Sequence, residues 1–378
     1  MDQPALSRRH LLGAASLAGA LAPALGTAGS ALAAAPAPDS PEAMIAGLTD
    51  GIYINANENP LGPCPAALAA LQRLPALSGR YGMPLGPRLG ALFARQHGLP
   101  AEAVAVHAGS YVPLRAAGLA FSSAERPIAY FEPTFDSGFL GANGKPLTGT
   151  VTLPLDGQGL GDPAALLAAA PNAGIYYLCN PNNPTGTITP RSQIEALLAR
   201  KPQGSILLVD EAYIHYSDAP SCLDLVAKGA DVLVLRTFSK IYGLAGLRIG
   251  LVAGRPDLLA QLDRYANNFA PLPAIVAAEA SLLDPALIPT RRAENTRVRR
   301  GVEQWLDARG VRYLPSATNF MMIHVGRPGG EVQAALARER VFISGPRKHM
   351  PNWVRISIGT AAEMERFKLA FGRAMGLA

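Results

Sequence analysis

At 378 residues the chain is too long for one ordinary hydrophobic core, and its length favours about two domains. Apolar residues make up 49% and charged residues 16%, a balance that excludes an intrinsically disordered chain. The formal net charge of +6 comes from arginine, and the densest basic run, "RRAENTRVRR", spreads its charges as a solvated helix does, without aromatics to stack on bases, so nucleic acid is not an expected partner.

In chain order, the first feature is "SRRHLLGAASLAGALAPALGTAGSALAAAPAP", beginning at Ser7. The charged pair Arg8 and Arg9, the apolar run from Leu11 and the small residues near Ala31 to Ala35 have the layout of a secretory signal, and the paired arginines resemble the twin-arginine type. The apolar run is broken by glycine and proline and falls short of the roughly 20 residues that cross a bilayer, so no stable membrane span is expected. Residues 1–35 are therefore read as a leader and "APAPDSPEA" as a linker, with a periplasmic destination expected and the cytoplasm as the alternative.

From Val104 onward, apolar runs alternate with Ala/Leu-rich helical stretches, the βα pattern of a mostly parallel sheet. The runs are "AVAV", "PIAYF", "GIYYL", "SILLV" and "VLVL", each followed by a polar trailer. Their near-continuous apolar character fits strands buried on both faces, and ligands of such sheets bind where strands end, so the trailers belong on one rim. In "CNPNNPTG", Pro181 and Pro184 fix a turn that either presents an asparagine amide or is a plain reversal. Asp210 ends "ILLVD" and either caps the next helix or pairs with a cation, since burial of an unpaired carboxylate is costly. Cys64, Cys179 and Cys222 show neither a metal-ligand spacing nor a disulfide framework, and no metal is expected.

The stretch "VLVLRTFSKIYGLAGLRIGLVAG" sets Lys240 after a buried strand, close to Thr237, Ser239 and Arg248. Such a lysine either extends to solvent or, desolvated, becomes an imine-forming amine. The hydroxyls and guanidinium around it suit a phosphate. A ligand carrying an aldehyde, a basic ring nitrogen and a phosphate would use the lysine, Asp210 and these donors together; pyridoxal phosphate is that ligand.

The ordered set "NANENPLGP", "PNNPTG", "VDEAY", "TFSK" with "GLAGLRIG", "TNF" and "VRISIGT" resembles the fold-type I pyridoxal-phosphate aminotransferases, most closely their histidinol-phosphate aminotransferase branch, over nearly the whole chain after the leader. The resemblance implies that Lys240 holds the cofactor as an imine and shuttles a proton, that Asp210 pairs with the ring nitrogen, and that Asn183 and Tyr213 bond the phenolic oxygen. It implies Phe135, where the family usually has tyrosine, as the stacking ring. Thr237, Ser239, Arg248 and the amides of Ser110 and Tyr111 would hold the phosphate, joined by Tyr81 of a neighbouring subunit, so that a homodimer shares its sites. Arg355 would fork onto the substrate's α-carboxylate, and Asn57 is assigned to the substrate as well.

Two departures stand out. Tyr111 and Val112 occupy places where the family commonly has an acidic pair, and Gly345 falls where its phosphate-clamping arginine belongs, with Arg347 and Lys348 nearby in another register. The implied fold is α/β: a large domain (residues 74–271) with a mixed, mostly parallel seven-stranded sheet, and a smaller α+β domain built from residues 36–73 and 272–378. The expected activity is amino transfer between an L-amino acid, a histidinol-phosphate-like or aromatic donor, and a 2-oxo acid. The alternative is a decarboxylase of the threonine-phosphate type, and a non-catalytic binder would not need the imine lysine.

Overall fold

The computed structural model describes residues 49–266 and 268–377, together with Ala43 and Gly47; the expected leader lies outside the described residues. The described strands are β1 (Ile52–Ile54), β2 (Val104–His107), β3 (Ile128–Glu132), β4 (Thr150–Pro154), β5 (Ile175–Cys179), β6 (Ile206–Asp210), β7 (Val232–Thr237), β8 (Gly250–Ala253), β9 (Phe320–His324), β10 (Val341–Ile343) and β11 (Trp353–Ser357). The α-helices are α1 (Pro65–Gln72), α2 (Leu85–Gln96), α3 (Tyr111–Phe121), α4 (Pro163–Ala169), α5 (Arg191–Arg200), α6 (Leu223–Ala227), α7 (Pro256–Leu262), α8 (Leu272–Leu282), α9 (Leu287–Asp307), α10 (Gly329–Arg338) and α11 (Ala361–Met375).

Seven strands form one sheet in the order β2-β8-β7-β6-β5-β3-β4. β8 runs antiparallel to both β2 and β7, and the remaining pairs are parallel. β5, β6, β7 and β8 are buried along their whole lengths. Alternate residues feed two separate cores, Tyr176 and Leu178 on one face and Ile175, Tyr177 and Cys179 on the other, which is why these segments read as continuous apolar runs.

The five runs picked out from sequence all lie in strands of this sheet, whereas β4, half-buried at the sheet edge, lacks that signal.

A third core gathers Ile52 and Ile54 of β1 with Met321, Val341, Val354, Phe367 and Phe371. β1 pairs in parallel with β10, and β9 pairs antiparallel with β11. The chain ahead of the large sheet thus returns to join its C-terminal part. Helix α8, assigned from sequence to the C-terminal domain, instead buries Ala274, Ile275, Ala277 and Ala278 in the large-sheet core, where Cys64 and Ala67 at the start of α1 also pack. Short apolar helices carry no mark of which sheet they cover.

The start of α11 is fixed by a capping box. The Thr360 hydroxyl accepts the Glu363 N–H, and the Glu363 carboxylate accepts the Thr360 N–H at 2.6 Å. Within the "RRAENTRVRR" helix, one arginine departs from the solvated pattern: Arg291 is buried and donates to the Ile241 carbonyl at 2.9 Å. No single helix among the described residues is long and apolar enough to cross a membrane.

Candidate active site

The carboxyl ends of the central strands open onto a cavity of about 560 Å³. Of the cofactor- and substrate-binding residues assigned from sequence, all but Tyr81 line it. Tyr81 is 77% exposed and lies in a separate groove beside Phe269.

Asp210, the last residue of β6, is 3% exposed. Its Oδ1 accepts the Ala212 N–H at 3.0 Å, so the local capping role and the acid role coexist. Burial raises its carboxyl to about 6, with Ala212 and Lys240 pulling the other way. Lys240 follows β7, and its Nζ lies 3.4 Å from the Ala56 carbonyl and 5.6 Å from the centre of the Tyr213 ring. Loss of water, reinforced by Arg355 and Arg248, depresses its ammonium to about 8, against the pull of Glu58 and Asp210. An amine so poised is still mostly protonated near physiological pH, yet carries a neutral fraction far above that of an ordinary lysine.

A second group of donors sits at the start of α3. Thr237 Oγ1 donates to Ser239 Oγ at 2.9 Å, and Arg248 Nη1 reaches the same Ser239 oxygen at 3.3 Å. Arg248 adopts φ 61°, a left-handed conformation that returns its side chain over the helix start. Gly109 has φ 86°, and a Cβ there would lie 2.4 Å from Arg248 Nη2, so only glycine admits the guanidinium. Ser110 and Tyr111 open α3, whose first-turn amides have no partner within a helix and favour an anion. The Tyr111 hydroxyl is turned aside and donates to the Ser137 carbonyl at 3.4 Å.

Arg355 comes from β11 and is 6% exposed. Its Nη1 donates to Asn183 Oδ1 at 2.6 Å and its Nη2 to the Asn55 carbonyl at 2.9 Å, while its buried Nε has no protein partner. Burial lowers this guanidinium to about 10. Because Asn183 spends its oxygen on Arg355, its NH₂ is free to donate into the cavity.

Asn57 departs from the sequence assignment. It touches the cavity, yet its amide donates to the Tyr213 hydroxyl at 3.1 Å and its oxygen faces Ser357 Oγ at 3.4 Å, so its polar atoms are committed to protein partners instead of a substrate.

The structure adds residues that the motifs do not contain. Arg347, on the loop between β10 and β11, lines the cavity, donates to Ser344 Oγ at 2.7 Å, and has no carboxylate partner among the described residues. Its neighbours Lys348 and His349 reach Glu132 at 2.8 and 3.2 Å. At Gly345 a Cβ would point at the Gln333 side chain, 2.4 Å away and outside the cavity. A side chain at 345 would thus start toward α10, and Arg347 is the guanidinium that this loop brings to the cavity. No signal in the sequence marks Glu132, because its partners are more than two hundred positions away.

Among the described residues no cluster of histidine, cysteine, aspartate or glutamate could hold a metal ion. The cavity does fit pyridoxal phosphate: a weakly basic amine, a buried acid, and a cradle of amides, hydroxyls and one arginine, kept open by Gly109, occur together.

Comparison with known proteins agrees with that fit. Residues 49–370 match the sequence model of the family described as aminotransferase class I and II. The chain is 34% identical over 342 residues to a histidinol-phosphate aminotransferase of Symbiobacterium thermophilum, covering 87% of this chain and 92% of that one. It is 32% identical over 334 residues to histidinol-phosphate aminotransferase 2 of Methylococcus capsulatus, covering 86% and 90%. The crystal structure of histidinol-phosphate aminotransferase from Sinorhizobium meliloti in complex with pyridoxal-5'-phosphate superimposes with a TM-score of 0.77 at 27% identity, covering 90% and 95%. With its sheet order, its cavity and this match over most of its length, the chain belongs to the class I and II aminotransferases.

Proposed function

We propose that this aminotransferase acts on substrates with two anionic contacts, one received by Arg355 and one by Arg347, with pyridoxal phosphate held at Lys240. When bound, the cofactor supplies an electron sink for charge developing at the substrate Cα and carries the amino group between half-reactions. The carrying observation is the convergence in one cavity of Lys240, Asp210, a phosphate cradle and two separate guanidiniums.

In this reading Lys240 would hold the cofactor through its amine, and that amine would move the proton at the substrate Cα; its basicity near 8 suits both duties. Asp210 would hold the ring nitrogen in its protonated form, since a buried carboxylate gains most from a cation beside it. Asn183, through its free NH₂, and Tyr213 would donate to the phenolic oxygen. Phe135 would stack on the ring, and Thr237, Ser239, Arg248 and the amides of Ser110 and Tyr111 would hold the phosphate. The unpartnered Arg355 Nε supports its role as receptor for a carboxylate or phosphate. Histidinol phosphate, the substrate named for the relatives, has a phosphate and no carboxylate, and its one anion would engage both arginines.

Export through the twin-arginine route is proposed from Arg8, Arg9 and the apolar run behind them. A homodimer is proposed from the exposed apolar side chains of Tyr81, Met83, Tyr265 and Phe269, which are 77%, 53%, 50% and 65% accessible, a patch too apolar to face water without a purpose. Tyr81 would then reach the phosphate of the neighbouring site.

The substrate reading is tested by mixing the pyridoxal form with single donors and no acceptor: histidinol phosphate, glutamate, and the aromatic amino acids. Stoichiometric conversion to the stable amine form is expected. Arg347→Ala should weaken glutamate and histidinol phosphate by about 10- to 100-fold while changing phenylalanine little. An equal loss for every donor would refute the role of Arg347, and loss of carbon dioxide in place of amine formation would refute transamination.

A further inference from the structure

Asn57 is one of four non-glycine residues with positive φ among the described residues, at 54°, and is 1% exposed. Asparagine tolerates this region better than most side chains, but a buried one held there indicates that the neighbours demand it. Those neighbours come from three distant places. The Asn57 N–H donates to Ser357 Oγ at 2.8 Å, the Asn57 carbonyl accepts from Asn319 Nδ2 at 3.2 Å, and its side-chain NH₂ donates to Tyr213 Oη at 3.1 Å.

These bonds have a direction. Ser357 Oγ accepts from the Asn57 main chain and turns its own hydrogen to Asn57 Oδ1 at 3.4 Å, which fixes the amide with its NH₂ toward Tyr213. Asn57 is the only protein hydrogen-bond partner of the Tyr213 hydroxyl among the described residues, and it is a donor. It therefore occupies the acceptor side of that oxygen and leaves the Tyr213 hydrogen to point into the cavity. The Tyr213 ring cannot swing to compensate, since it packs edge-on against Phe320 with centroids 4.9 Å apart. Titratable and charged groups facing Tyr213 are Arg355, Asp210, Lys240, Arg347, Cys179 and Tyr216, and none of them bonds its hydroxyl. Burial raises the hydroxyl's pKa and the Asn57 bond draws it back, as expected for a phenol made a better donor.

We propose that Asn57 is a positioning residue that orients the Tyr213 hydroxyl as a donor toward the cofactor's phenolic oxygen and, through Ser357 and Asn319, couples that bond to the seating of the C-terminal core. The inference rests on the placement of pyridoxal phosphate argued above. Ser357 lies in β11, two residues beyond Arg355, so the strand that presents the substrate receptor also locks the amide that orients Tyr213.

The test is a pH titration of the bound cofactor's visible absorption band, a readout independent of turnover. Asn57→Gly keeps the backbone conformation and removes the amide; Ser357→Ala releases the amide from its far end without touching the strained residue. Both substitutions are made in the wild-type and Tyr213→Phe backgrounds. Asn57→Gly should raise the midpoint by about 0.5–1 pH unit and Ser357→Ala by less, and both shifts should vanish when Tyr213 is phenylalanine. A shift of equal size in the Tyr213→Phe background, or none in the wild type, overturns the proposal. A wild-type protein that develops no such band with pyridoxal phosphate overturns the cofactor placement as well, which separates the two failures.

Discussion

Burial holds the Asp210 carboxyl near 6, above its ordinary value of 3.8, and this has a consequence for the cofactor-free protein. Between those two pH values the folded chain binds more protons at this site than the unfolded chain does. Stability at this residue is therefore intact below about pH 4, falls as pH rises to about 6, and stays lower by about 2–3 kcal/mol above that. Asp210→Asn retains an oxygen for the Ala212 N–H and removes the charge. The cofactor-free variant should melt higher than the cofactor-free wild type at pH 7, the two converging near pH 4, whereas with pyridoxal phosphate present the order should reverse. Melting curves across this range check it, and an unchanged or lower melting point at pH 7 without cofactor would contradict a desolvated acid. At this scale Lys240 and Asp210 were legible in the chain, because a charged residue at the end of a buried strand is chemically conspicuous, whereas Arg355, in the middle of β11, was reached through the resemblance carried by "VRISIGT". The work of Asn57 was not: a small amide inside "NANENP" gives no sign that it will meet Tyr213, 156 positions away.

Short elements carry the site's adjustable parts. The loop between β10 and β11 is tied to the large sheet by Glu132, which accepts both Lys348 and His349, and this tether holds Arg347 over the cavity. Lys348 is largely exposed, so the tether is a modest restraint. Glu132→Gln should accordingly raise KM for substrates with a second anion by about two- to fivefold and leave kcat for aromatic donors nearly unchanged. Steady-state kinetics with glutamate and phenylalanine compare the two, and an equal KM for glutamate in both proteins would show that the loop keeps its place without Glu132. Among elements, β2, β3, β5, β6 and β7 were readable from their near-continuous apolar runs. β4 and the allegiance of α8 were not, since a half-buried edge strand and a short apolar helix fit more than one place in a fold.

At the scale of the whole molecule, export and dimerisation meet in one experiment. Cells producing the full chain are fractionated by osmotic shock, and the released enzyme is sized by light scattering; recovery in the periplasmic fraction as an active dimer is the expected outcome. Recovery with cytoplasmic markers would end the export reading, and an active monomer would end the shared-site reading. By itself the amino-acid sequence determined which segments become buried strands and where reactive side chains follow them, because a run of apolar residues must leave water and its polar trailer must not. Only the tertiary structure decided which distant groups meet: Arg355 with Asn183, Glu132 with Lys348, and Asn57 with Ser357 and Tyr213. Hydrogen bonds of this kind span separations of well over a hundred residues, and their partners are selected by how two packed cores face one cavity, a relation that no local pattern of residues encodes.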